Sequence, residues 1–263
     1  MVRTNKGRRW FALAAGALVV QLAVSPVPVL AEDFRVENRV FLDDESDPRV
    51  ETTTIFLNGV VYDILSAPSE ITVFDPSRGR FALLDTDRKL TTDVSAREIA
   101  GFVDRMKERA GEQENPFVAF QAKPQFEIQY DETSRELTFT SPWIIYRLVT
   151  QDAESKEIAR QYREFCDWYA RLNYLLNPGA LLPSARLMVN AELAQREEVP
   201  REVHLTLTPK KGFPPKRIRL RSLHHLVRNV VESDRSRVNQ IQQYMKMFKQ
   251  VSYDEYRRRE QDG

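Results

Sequence analysis

Residues able to do chemistry are few and scattered. The 263-residue chain has three histidines, His204, His224 and His225, and one cysteine, Cys166. Zinc-type sites need several imidazole, thiolate or carboxylate ligands at close spacing. Neither His-x-x-x-His nor Cys-x-x-Cys occurs. On a strand His224 and His225 project to opposite faces, so they cannot share one ion without a bulge. No metal site is expected.

Nucleophilic catalysis has no better footing. There is no Gly-x-Ser-x-Gly elbow, and the nine glycines do not cluster into a phosphate-binding loop. Carboxylates are too many to single out an acid/base couple. A glycosidase-like pair leaves no sequence mark, because carboxylate separation is a property of the fold. No catalytic residue and no cofactor is assigned. Cys166 sits among apolar neighbours in a helical pattern and reads as a small buried residue. As the only cysteine it excludes an internal disulfide.

Two features do suggest binding. Lys210, Lys211, Lys216, Arg217, Arg219 and Arg221 fall within 12 residues that contain no acid. Arg217, Arg219 and Arg221 alternate with Ile218 and Leu220, so a strand would set the guanidinium groups in one row. Such a row suits an anionic partner: a phospholipid headgroup, an envelope polymer or an acidic protein. A solvated sheet edge protected by cations is the plainer reading. Neutralisation by the acidic loop Asp43 to Asp47 is a further alternative. The second feature is an aromatic stripe. Ile158, Tyr162, Phe165, Tyr169, Leu172 and Leu176 are spaced three and four apart, the period of one helix face. Tyr162, Phe165, Tyr169 and Leu172 are the candidate wall for a ligand, with an ordinary core face as the alternative.

The elements that position these residues follow from local pattern. Ile55-Phe56-Leu57 and Val60-Val61-Tyr62 flank Asn58-Gly59, a hairpin signal because a type I′ turn needs φ > 0 twice. Ile71 to Phe74 and Phe81 to Leu84 flank a turn with Pro76 and Gly79, and Leu90 to Thr92 continue the series. Residues 34–94 therefore read as an antiparallel meander. Ser95 and Glu98 form a capping box for a helix over 95–110. Strands follow over 125–150, then helices over 154–177 and 184–197, the second ended by Pro200. A hairpin spans 202–231, its last part, 223–231, open to either strand or helix. Ser233-Asp234 caps a C-terminal helical region over 233–259. No repeat of fixed period appears.

The fold class is α+β: a curved antiparallel sheet, meander or half-barrel in form, with amphipathic helices packed on one face. Periplasmic lipoprotein carriers share that general plan, though no motif in this chain carries the likeness.

Residues 1–31 read as a signal peptide. Arg3, Lys6, Arg8 and Arg9 precede an apolar core from Phe11 to Val24, and Val29-Leu30-Ala31 gives a cleavage site before Glu32. A membrane span needs roughly 18 or more apolar residues; this core has 14. Arg8-Arg9-Trp10-Phe11 also resembles a twin-arginine signal, so the export route stays open. Removing the leader leaves 35 basic against 38 acidic residues, near −3, with no global drive towards nucleic acid.

The chain thus reads as an exported, non-catalytic extracytoplasmic protein, periplasmic or secreted, 32–263 forming one domain. It holds an apolar or amphipathic, lipid-like ligand between sheet and helices. An envelope-associated structural or protein-interaction domain with a solid core is the alternative, and a hydrolase is third. No transmembrane span is expected in the mature protein.

Overall fold

Asn58 and Gly59 both take positive φ, 53° and 74°, in the computed structural model, which describes residues 31–67, 69–177, 179–208 and 217–258. The turn joins β2 (Val50–Leu57) to β3 (Val60–Leu65) with Leu57 opposite Val60. The next reversal is a single 3-10 turn, Pro76–Arg78, between β4 (Glu70–Asp75) and β5 (Arg80–Asp85). Its amide at Arg78 donates to the Asp75 carboxylate, and Gly79 at φ 58° closes it. The chain then enters β6 (Leu90–Ser95).

The remaining strands are β1 (Phe34–Leu42), β7 (Glu127–Asp131), β8 (Glu136–Thr140), β9 (Ile144–Asp152), β10 (Glu198–Leu207), β11 (Ile218–Val227) and β12 (Lys249–Gln250). Among the described residues one curved sheet of 12 strands results, in the order β12-β6-β5-β4-β3-β2-β1-β11-β10-β9-β8-β7. Every pairing is antiparallel except that of β12 with β6. Strand β1 joins the two halves, pairing β2 on one edge and β11 on the other.

Period-two alternation sorts the meander into two faces. Phe34, Val36, Phe56, Val61, Phe74, Phe81 and Leu83 face α3 (Lys156–Leu176) and α1 (Ala96–Gly111). Ile55, Leu57, Tyr62, Ile71, Val73 and Leu84 face the other way and are covered by Val238 and Ile241 of α5 (Glu232–Met247). A helix on that second face was not foreseen from the sequence. On the first face, Leu137, Phe139, Ile144, Leu148 and Val203 pack beneath Ala185, Val189 and Leu193 of α4 (Ser184–Gln195). Among the described residues no helix is long and apolar enough to cross a membrane.

Several local expectations change. Pro200 does not end a helix: α4 stops at Gln195, Glu197 turns the chain at φ 57°, and Pro200 lies within β10. The register with β9 shifts between Pro200 and Glu202, the kind of irregularity at which a sheet accepts proline. A helix not expected from the pattern, α2 (Pro116–Ala122), follows α1; the Asn115 side chain caps it through the Phe117 and Val118 amides. Strand β11 ends at Val227. The N-cap of α5 is Val231 rather than Ser233; Asp234 caps from inside the first turn, accepting from the Val231 amide, and also accepts from Arg35 at 3.1 Å. The C-terminal region is broken by β12 before α6 (Tyr253–Arg257). The expected leader, apart from Ala31, lies outside the described residues.

Candidate functional site

Helix α3 carries the aromatic stripe. Ser155 caps it by accepting from the Ile158 amide, and on its outer side Arg160 bridges Glu157 and Glu164. The inner side meets the sheet. Of the four wall residues named from the sequence, Leu172 is fully buried, Phe165 and Tyr162 nearly so, and Tyr169 is half-buried. Phe165 meets Phe56 edge-on at 5.7 Å and Tyr169 at 5.3 Å. Phe56 in turn stacks on Phe34 at 4.0 Å. The four residues are therefore brought together on one aromatic surface.

That surface is not purely apolar. A seam of polar side chains runs across β3, β2, β1 and β11 beneath α3. Asn38 Nδ2 donates to Thr52 at 3.1 Å and to Thr54 at 3.4 Å, and the Thr54 hydroxyl donates to Asp63 at 2.6 Å. Tyr169 also hydrogen-bonds Asp63. Because Thr54 gives its one proton to Asp63, its oxygen takes a donor from Asn38, which fixes the Asn38 amide orientation. Asn38 Oδ1, buried, is left with no donor among the described groups.

His224 lies directly opposite Asn38 on β11. Its Nε2 meets Ser222 Oγ at 2.9 Å, and its Nδ1 meets Tyr162 Oη at 3.3 Å. The seam thus touches α3 at Tyr162 and again at Tyr169, two helical turns on. Cys166 lies between them, in contact with Tyr162 and with Arg186 of α4.

Burial sets the charge states. It pushes the Asp63 carboxyl up to about 6, against the hydrogen bonds from Thr54 and Tyr169. Burial, and then the Arg186 guanidinium, bring His224 down to about 3. Burial likewise pushes the Cys166 thiol up to about 11, opposed by Arg186. Near pH 7 the imidazole is neutral with both nitrogens engaged, and the thiol is protonated. Neither is poised for nucleophilic attack. Among the described residues no three His, Cys, Asp or Glu side chains cluster to hold a metal ion.

Arg217, Arg219 and Arg221 are placed elsewhere, at the start of β11 and just before it; Lys210, Lys211 and Lys216 lie outside the described residues. Arg217 is exposed. Arg219 and Arg221 are exposed too, but each has an acid. Arg219 faces Asp44 at 3.7 Å, and Arg221 holds Glu202 at 2.6 Å, a carboxylate it shares with His204. The acidic loop is tied in place through the backbone, the Arg219 amide donating to Asp43 Oδ1 and the Asp43 amide to the Arg219 carbonyl. A cavity of about 420 Å³ opens between loop and row, lined by Phe41, Asp44, His204, Thr206, Arg219 and Arg221 among others. Its charges are mixed and internally paired.

Sequence reasoning missed the seam. Thr54 and Asp63 had a signal: counting outward from Asn58-Gly59 pairs them across the hairpin, on the same face as Phe56 and Val61. Arg186 had none, since α4 shows no clear polar face.

No protein-family model matches the chain, and no curated protein matches its sequence. Among solved structures the chain is similar to a LolA superfamily protein from Nitrosomonas europaea. The identity is 8%, over 77% of this chain and 88% of that one, with a TM-score of 0.30. A likeness at that level carries no argument for fold or function.

Proposed function

We propose that this protein binds an amphipathic, lipid-like ligand between α3 and the sheet, without catalysis. One observation carries the reading: an aromatic interface contains a buried polar seam that its own groups do not satisfy, Asn38 Oδ1 being without a donor. A core serving stability alone gains nothing from such groups, since a partly satisfied buried network is worse than an apolar one. An amphiphile presents both chemistries, a chain for the aromatic wall and polar atoms for the seam. Tyr162, Phe165, Tyr169 and Leu172 would form the wall. Their burial means that α3 must shift from the sheet to admit the ligand.

The protein is also proposed to act outside the cytoplasm, after cleavage between Ala31 and Glu32. The basic n-region, apolar core and Val-Leu-Ala site support this. The basic hairpin would then be an auxiliary contact for an anionic envelope partner, weakened by Asp44 and Glu202.

Native mass spectrometry of protein purified from its own host compartment tests both points. A bound amphiphile, lost on organic extraction, and an N-terminus at Glu32 are expected. Protein that carries no ligand and takes up none after extraction would defeat the binding reading. An intact Met1 would defeat cleavage. A second reading, an envelope scaffold with a solid core, is favoured by the complete burial of Leu172 and Phe56 in the same interface. It expects no co-purifying ligand.

A further inference from the structure

Arg186 is the residue that core packing does not explain. It stands half-buried in α4. Its guanidinium lies within electrostatic reach of Tyr162 and Cys166 of α3, Tyr146 of β9 and His224 of β11. None of these is an anion near pH 7. Among the described residues no carboxylate comes within 4.0 Å of it. Other half-buried arginines have partners: Arg35 pairs with Asp234, Arg80 with Asp93 and Arg88 with Asp85, while Arg171, without a carboxylate among the described residues, donates to the Asp167 carbonyl and lies over the Trp168 ring.

A guanidinium cannot discharge itself by losing a proton, so burial without a counter-charge is costly. Its planar fork of donors fits the paired oxygens of a carboxylate or a phosphate. Three of its four neighbours, Tyr162, Cys166 and His224, belong to the seam or adjoin it. We infer that Arg186 anchors an anionic headgroup, carboxylate or phosphate, of the amphiphile bound between α3 and the sheet. This rests on the binding reading above and adds the charge of the ligand to it.

The test uses full-length protein purified from its host and freed of lipid by extraction. Four probes are titrated in turn: oleate, oleoyl lysophosphatidate, monoolein and inorganic phosphate. The first three share one apolar chain and differ in headgroup. Binding is read by native mass spectrometry and by the rise in melting temperature. The parent should bind one or both anionic amphiphiles roughly tenfold or more tightly than monoolein, as expected for hydrogen bonds to a charged group. The stronger of the two identifies carboxylate or phosphate. Arg186→Gln should bring the anionic amphiphiles to the level of monoolein and leave monoolein binding unchanged. Arg160→Gln, on the outer side of α3, should keep the preference.

Equal binding of all three amphiphiles by the parent overturns the inference, as does an Arg186→Gln variant that keeps the preference. Inorganic phosphate bound as tightly as lysophosphatidate also overturns it, because the chain would then contribute nothing. Failure of every amphiphile, monoolein included, refutes the underlying binding reading instead. Should Arg186→Gln not fold, nitrogen-15 arginine labelling of the parent decides. The Arg186 Nε resonance, assigned by its loss in Arg186→Lys, should shift with the bound anionic amphiphile and not with monoolein. An unmoved resonance overturns the assignment.

Discussion

Asp63 offers a test of the seam that needs no ligand. Its carboxyl is buried, accepts from Thr54 at 2.6 Å, and titrates at about 6 in the folded protein against 3.8 ordinarily. Because burial raises the folded value, the contribution is largest at low pH and is lost as pH rises. Below 3.8 the group is protonated in both states. Between 3.8 and 6 the unfolded chain has released a proton that the folded chain retains, so each pH unit costs about 1.4 kcal/mol. Above 6 both states are ionised and the loss is complete, amounting to about 3 kcal/mol over the shift of roughly two units. Asp63→Asn keeps the shape and the acceptor for Thr54 while carrying no charge. Urea unfolding of parent and variant at pH 4, 5, 6, 7 and 8 isolates the effect as a difference. The variant should gain on the parent by about 2.4 kcal/mol between pH 4 and 7, then stay level, with unchanged m-values. A difference independent of pH, or one in which the parent gains as pH rises, would refute the argument that burial dominates at Asp63.

Leu172→Ala should destabilise by about 2–5 kcal/mol, since Leu172 has no exposed surface. Arg160→Ala, on the outer side of α3, should cost about 0.5 kcal/mol or less, and equal losses in chemical denaturation would mean the helix faces are reversed. Ser95→Ala removes the side-chain acceptor of the α1 capping box and should cost about 1 kcal/mol; no change in unfolding midpoint would show that Glu98 suffices alone. Replacing Arg217, Arg219 and Arg221 together by Gln should barely move the melting temperature, because exposed pairs contribute about 0–1 kcal/mol each. A large drop would show that the contacts to Asp44 and Glu202 hold the acidic loop and the sheet edge together.

The sequence by itself determined what a few neighbouring residues decide. Asn58-Gly59 sets a turn because two successive positive φ values are cheap there, and the turn fixes the register of the strands beside it. Ser95 and Glu98 start α1 because each satisfies an orphan amide of the other. The spacing of Ile158, Tyr162, Phe165 and Leu172 chooses the inward face of α3. Tertiary structure decided what depends on partners distant along the chain. Only the pairing of β1 with β11 sets Asn38 opposite His224, and only the packing of α4 on α3 brings Arg186 to Tyr162 and Cys166. The surplus of cations at the hairpin was plain in the sequence, yet Asp44 and Glu202 reach it by folding. Pro200 reads as a helix stop locally, and a register shift in the sheet admits it to a strand. Local rules act through backbone dihedrals and residue period, whereas the state of a buried charge depends on which distant groups the fold places around it.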